Sequence, residues 1–338
     1  MKAFKLFLGF LVVVFTVCLI GSGLSLWWAA KEYTKPGAFT EAVDITIERG
    51  ANINRISEML LYEGALDMNG YYIFPLAGRL TGQATKLKAG EYEIPAHASI
   101  KEILNLLESG KVIQRQVTIR EGLTNYEINR LLLEQKGLEK VADVDMLPEG
   151  HYLPETYSYS KGDSNADILG RMAASMESTL DELWKTRADN LPFKTKEEAL
   201  TLASIIEKET SLPEERKRIA GVFVNRLRKG MLLQTDPTVI YAITKGENKN
   251  DGHGPLGRHL LKKDLKIDSP YNTYLHPGLP PGPIANPGRG SIEAALHPEE
   301  NDFLYFVADG SGGHAFAKTL KEHQTNVRKW HKKRKALQ

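Results

Sequence analysis

The chain has a single cysteine, Cys18, and it lies inside an uncharged apolar run. The remainder can form no disulfide and offers no thiolate for metal binding or nucleophilic catalysis. Histidine is sparse, and its nine copies include no HExxH or comparable pair; His253 and His259 fall in a Gly-rich stretch that reads as loop. No metal and no cofactor site is expected. Charge of one sign is also lacking, because 44 basic residues face 42 acidic ones for a net charge of +2. A strongly charged partner is not implied, and nucleic acid is not expected as a ligand.

What is present starts with 25 uncharged residues from Leu6 to Ala30, LFLGFLVVVFTVCLIGSGLSLWWAA. At about 1.5 Å per residue this crosses a hydrocarbon core of about 30 Å. The run exceeds a signal-peptide core, Trp27 and Trp28 suit an interfacial belt, and no small-residue cleavage pattern precedes Lys31. An uncleaved transmembrane helix is expected. Lys2, Lys5 and the amino terminus, set against Lys31 and Lys35, weakly favour a cytoplasmic N-terminus. The whole chain is 42% hydrophobic and 25% charged, enough for two further domains with real cores. At the other end RKWHKKRK, Arg328 to Lys335, reads as a solvated, frayed basic tail.

A weak repeat marks the first soluble region. Ile45, Ile47, Gly50, Ile56 and Leu60 match Val117, Ile119, Gly122, Ile128 and Leu132 at constant offset, and a third copy places Tyr92, Ile94, Ile103 and Leu107. Each unit alternates like a strand and then recurs at helical spacing, so three small βα units are expected. Turn formers crowd residues 136–162, which places a junction just before EGHYLPETY. Helices are expected at 168–187 and 213–229, the latter with Pro213 in its first turn and Gly230 after its end. A strand is expected over 303–308 and a terminal helix from Lys318 onward.

The most informative segment is LASIIEKET, Leu202 to Thr210. On a helix Leu202, Ile205, Ile206 and Glu209 fall at i, i+3, i+4 and i+7, which puts Glu209 on the apolar stripe. Glu207 points roughly 200° away from it around the helix. A carboxyl pressed against apolar neighbours holds its proton to higher pH, as a general acid must. On the next helix Val222, Asn225 and Arg226 of VFVNRL share a face, an amide and a guanidinium beside an apolar strip. The Gly- and Pro-rich stretch from Asp251 to Gly290 contains Tyr271 and Tyr274 flanking Asn272, side chains suited to stacking on sugar rings and bonding hydroxyls.

The ordered strings LASIIEKET, VFVNRL, LQTDPTVIYA, YNTYLHPGLPPGPIANPG and FLYFVADGSGGHAFAKT resemble the YceG-like family of endolytic murein transglycosylases along the whole chain. The resemblance implies an α+β architecture: an N-terminal transmembrane helix, a small LysM-like βα domain and a mixed α+β catalytic domain. The expected boundaries are 1–5 for a cytoplasmic N-terminus, 6–30 for the span and 40–112 for the LysM-like domain. A connecting βα unit follows at 113–148, a catalytic domain at 149–330 and the basic tail at 331–338. It further implies a single-pass inner-membrane protein with its bulk periplasmic, acting on peptidoglycan glycan strands, with wall-synthesis proteins as possible company. The catalytic role falls on Glu209, the second glutamate of the EKE triplet, with Asn225, Gln234, Thr235, Asp236, Tyr271 and Asn272 as candidates for orienting sugars. One departure is Glu155, between Pro154 and Thr156, where the family commonly has Asp. Two other readings stay open: a hydrolytic muramidase using Asp236 as a second carboxylate, and a membrane-tethered wall-binding module without catalysis.

Overall fold

A computed structural model describes residues 2–247 and 256–336 of the chain. It resolves into two compact units, Met1–Arg115 with Ser160–Gly162, and Gln116–Tyr159 with Asp163–Gln338. Helix and strand are mixed throughout, and the strands form three two-stranded sheets among the described residues.

The first unit begins with helix α1, Lys2–Thr34, of which Gly9–Thr34 is long and apolar enough to cross a membrane. After it come β1 (Val43–Ile47), α2 (Ile53–Tyr62), α3 (Met68–Leu80), β2 (Gly90–Ile94) and α4 (Ile100–Ser109). β1 and β2 pair antiparallel, with Ile45 opposite Tyr92 and Ile47 opposite Gly90. Their inward side chains meet Ile56, Leu60, Phe74, Ile103 and Leu107 in one core. Local chemistry sets the helix starts. Asn52 accepts from the amides of Asn54 and Arg55, and Ser99 forms a reciprocal capping box with Glu102.

The three strand–turn–helix units read from the repeat are all present, as β1/α2, β2/α4 and the pair β3 (Arg115–Thr118) and α5 (Asn125–Leu133). α3 escaped that reading. Its sequence, MNGYYIFPLAGRL, carries Pro75 and two glycines and is apolar nearly all round, so no polar face announces it.

In the second unit, β4 (Thr156–Tyr159) pairs with β3, and α6 (Asn165–Lys185) follows. The centre is α7 (Lys196–Glu209), whose residues Ala199 to Ile206 are all buried. α7 packs against α8 (Pro213–Arg228), α9 (Asp236–Thr244) and α10 (Arg289–Leu296). Phe223 of α8 and Ile292 of α10 share its core. A hairpin of β5 (Tyr305–Ala308) and β6 (His314–Ala317) precedes α11 (Leu320–Ala336). The basic segment read as a frayed tail is helical to Ala336, and Lys333 Nζ donates to the Asp309 carbonyl at 2.8 Å. His259 is exposed, with its carbonyl accepting from Arg258, while His253 lies outside the described residues.

Candidate active site

α7 owes its position to both ends. Thr195 caps it and exchanges hydrogen bonds with Glu198, and near the other end Ser204 Oγ accepts from the Ile284 amide at 3.0 Å. That bond ties the GLPPGPIAN loop to the helix. The last turn then carries two glutamates with different surroundings.

Glu209 ends the helix. Its Oε1 accepts from Thr235 Oγ1, which is buried at 3% exposure. Thr235 is the residue that precedes α9, the usual place for a hydroxyl that accepts from helix amides, yet it makes no such cap because it donates to Glu209. The turn that aims it is held by Thr273: the Gln234 amide donates to the Thr273 carbonyl at 3.1 Å and the Thr235 amide to Thr273 Oγ1 at 3.1 Å. Gln234 adopts φ 50, in the left-handed region, and its side chain is exposed.

Asp236, next in the chain, is exposed and accepts from the Tyr274 hydroxyl at 2.6 Å. Burial pushes the Glu209 carboxyl above its ordinary range, and the like charge of Asp236 pushes it further. The Thr235 hydroxyl, His314 and Arg226 pull in the opposite direction. Arg226 is 8% exposed, and its guanidinium donates to the carbonyls of Leu304 at 2.6 Å and Leu233 at 2.7 Å. His314 is fixed by Glu215, which accepts from its Nδ1 and its amide at 2.7 and 2.8 Å. A carboxyl in this setting holds its proton to higher pH than a free one, with one oxygen accepting from Thr235.

Glu207 is not the solvent-facing bystander that the helical angle suggests. Its side chain is only 6% exposed. The Gly288 amide donates to Oε2 at 3.0 Å, and Arg216 stands 3.5 Å from Oε1 while pairing with Glu121 at 2.7 Å. The stripe argument failed here because a loop from beyond the helix, residues 286–288, covers the side expected to be polar. A Cβ at Gly288 would displace the Glu121 carboxylate, the end of a half-exposed side chain that pairs with Arg216. Burial raises the Glu207 carboxyl, and the Gly288 amide and Arg216 oppose that.

Thr235 and Asp236 thus act on Glu209, Gln234 precedes them with its side chain exposed, and the other three candidates are engaged by other partners. Asn225 donates to the carbonyls of Asn301 at 2.8 Å and Phe303 at 3.1 Å, which holds the loop before β5. Asn272 is fully buried; its amide donates to Leu265 and Ile267, and its oxygen accepts from the Tyr274 amide. In this fold both amides fasten loops. Tyr271 packs on Tyr241 with ring centroids 4.9 Å apart, beside Lys245 and electrostatically coupled to Glu149. The residues that sequence reasoning left off the list are Tyr274, Arg226 and His314. Arg226 was visible on the VFVNRL face and Tyr274 beside Asn272, whereas nothing local marks His314, which arrives on β6.

The chain matches the model of the YceG-like family over residues 45–329. It is 32% identical over 321 residues to an endolytic murein transglycosylase of Bacillus subtilis, covering 85% of this chain and 84% of that protein. An endolytic murein transglycosylase of Streptococcus pneumoniae is 31% identical over 333 residues, of which 84% of this chain and 58% of the pneumococcal protein are covered. Among solved structures, a putative YceG-like protein of Listeria monocytogenes superposes with a TM-score of 0.51 at 33% identity, covering 85% of this chain and 99% of that one.

Proposed function

Since the chain belongs to the YceG-like family, we propose that it is an endolytic murein transglycosylase that cleaves the β-1,4 bond between N-acetylmuramic acid and N-acetylglucosamine within glycan strands. The observation that carries this reading is Glu209, a partly buried carboxyl with a raised pKa, one oxygen held by Thr235 and the like charge of Asp236 acting on it.

Protonated Glu209 donates to the glycosidic oxygen as the bond to the muramic C1 breaks. Asp236, steadied by Tyr274, supplies negative charge to the oxocarbenium that develops. The Glu209 carboxylate then takes the proton of the same sugar's C6 hydroxyl, whose oxygen closes onto C1 to give a 1,6-anhydro end. The attack is intramolecular, so proximity stands in for the nucleophile that hydrolytic glycosidases recruit. One acid that becomes a base suffices, and water is absent from the products.

In this reading α1 is an uncleaved anchor with a cytoplasmic N-terminus, and the bulk of the chain is periplasmic. Residues 40–112 act as a LysM-like module that holds glycan. Cleavage inside strands would end the elongation of nascent ones, in company with wall-synthesis proteins. Mass spectrometry of peptidoglycan digested by the purified protein tests the reaction: 1,6-anhydro ends are expected. Reducing muramic ends would replace it with hydrolysis, Asp236 then acting on water.

A further inference from the structure

α3 has no polar face. Of its 13 residues only Arg79 is charged, and that guanidinium reaches back to Asn54 Oδ1 of α2 at 2.8 Å. One side of the helix, with Ile73, Phe74 and Ala77, fills the core of the first unit. The other side is a ridge at four-residue spacing: Met68, Tyr72, Leu76 and Leu80 are exposed at 56%, 67%, 46% and 74%. A helix apolar all round is covered on every side or lies in lipid.

The place of this ridge says which. α3 packs against α1, and an apolar groove between them is lined by Leu26, Ala30, Tyr33, Ile73, Leu76 and Leu80. On α1 that groove sits level with Trp27, Trp28 and Lys31, where an apolar span of about 20 residues ends and an interfacial belt begins. The apolar surface of the span, with Leu24 and Leu26 exposed at 61% and 64%, therefore runs on without a break into Leu76 and Leu80.

We propose that α3 is an interfacial helix: its Leu76–Leu80 end lies in the headgroup and upper acyl region of the bilayer that α1 crosses, and Tyr72 sits at the water boundary. The inference rests on the reading of α1 as an anchor. It adds that the first unit lies down on the membrane instead of standing off it on a flexible tether. Tyr at such a boundary keeps its ring in the apolar layer and its hydroxyl wet.

The test uses the full chain with Cys18→Ser, which leaves one introduced cysteine per variant for a nitrobenzoxadiazole label. Leu76→Cys and Leu80→Cys probe the ridge, Val14→Cys probes the span, and Glu58→Cys on α2 is the aqueous control. Each is reconstituted singly into nanodiscs of phosphatidylethanolamine and phosphatidylglycerol. Blue-shifted emission at 76 and 80, protection from iodide and quenching by lipids spin-labelled near the headgroup are expected, with Glu58→Cys open to iodide. If Val14→Cys is lipid-quenched while 76 and 80 stay open to iodide, α3 is not at the membrane and the proposal falls alone. Shielding at 76 and 80 without lipid quenching means that protein covers the ridge, which also overturns it. If Val14→Cys is itself open to iodide, the anchor reading fails and takes the proposal with it.

Discussion

Two partly buried carboxyl groups of the second unit differ in a way that separates chemistry from architecture. Glu149 is pushed up to about 7 by burial, and its carboxylate accepts from the Asn125 amide at 2.8 Å and from Asn286 Nδ2 at 3.1 Å. Asn286, fully buried, also donates to the Leu123 carbonyl and accepts from the Tyr152 amide. Glu149 is thus one bond in a lattice that joins three loops. Glu209 is also raised by burial, yet its hydrogen-bond partner is a hydroxyl, and the rest is the field of Asp236 opposed by His314 and Arg226. A raised pKa marks both; what distinguishes Glu209 is that, among the described residues, one hydroxyl holds it and the exposed Asp236 stands next to that hydroxyl in the chain.

The comparison breaks if the two respond alike to neutralisation. Glu209→Gln is expected to lower glycan cleavage by about 10²–10⁴-fold, the range of a lost general acid, with thermal stability kept. Glu149→Gln should leave turnover in place, and muropeptide release by the two variants decides the assignment. The next largest effect is on stability. The Glu149 carboxyl is raised from 4.5 to about 7, so its contribution is fully present below pH 4.5 and lost as pH rises through 7. Glu149→Gln should therefore remove that decline and stabilise the protein above pH 7 by up to about 3 kcal/mol, as read by denaturant unfolding across pH.

Smaller effects sharpen the Glu209 side. Activity that needs a protonated acid falls as pH rises through its pKa. Asp236→Asn removes the like charge and should move that basic limb to lower pH, whereas Thr235→Val removes a hydrogen bond to the carboxylate and should move it higher. A shift of both in one direction would contradict the electrostatics. Tyr274→Phe is the mildest, costing about 1 kcal/mol of Asp236 positioning, visible in kcat with little change in melting temperature.

Much of this was legible in spacing alone. The 3.6-residue period placed Glu209 on the covered stripe of α7, and alternation followed by helical recurrence placed all three βα units. Period reports on one element at a time. It could not show that the 286–288 loop would bury Glu207, or that Asn225 and Asn272 would be engaged by carbonyls. α10 was missed for the same reason, being 8 residues long and packed on the distant α6, α7 and α8, whereas β6 was missed because 4 residues give too little alternation to read.

The last turn of α7 grips two loops at once, the 288 loop through Glu207 and the 235 loop through Glu209. In engineering terms that turn is a shared fixture and the two loops are not independent modules. A chimera that imports the 234–236 turn or the 286–290 loop from a relative should work when the donor's EKET segment travels with it. Either loop moved alone would misalign the acid for both.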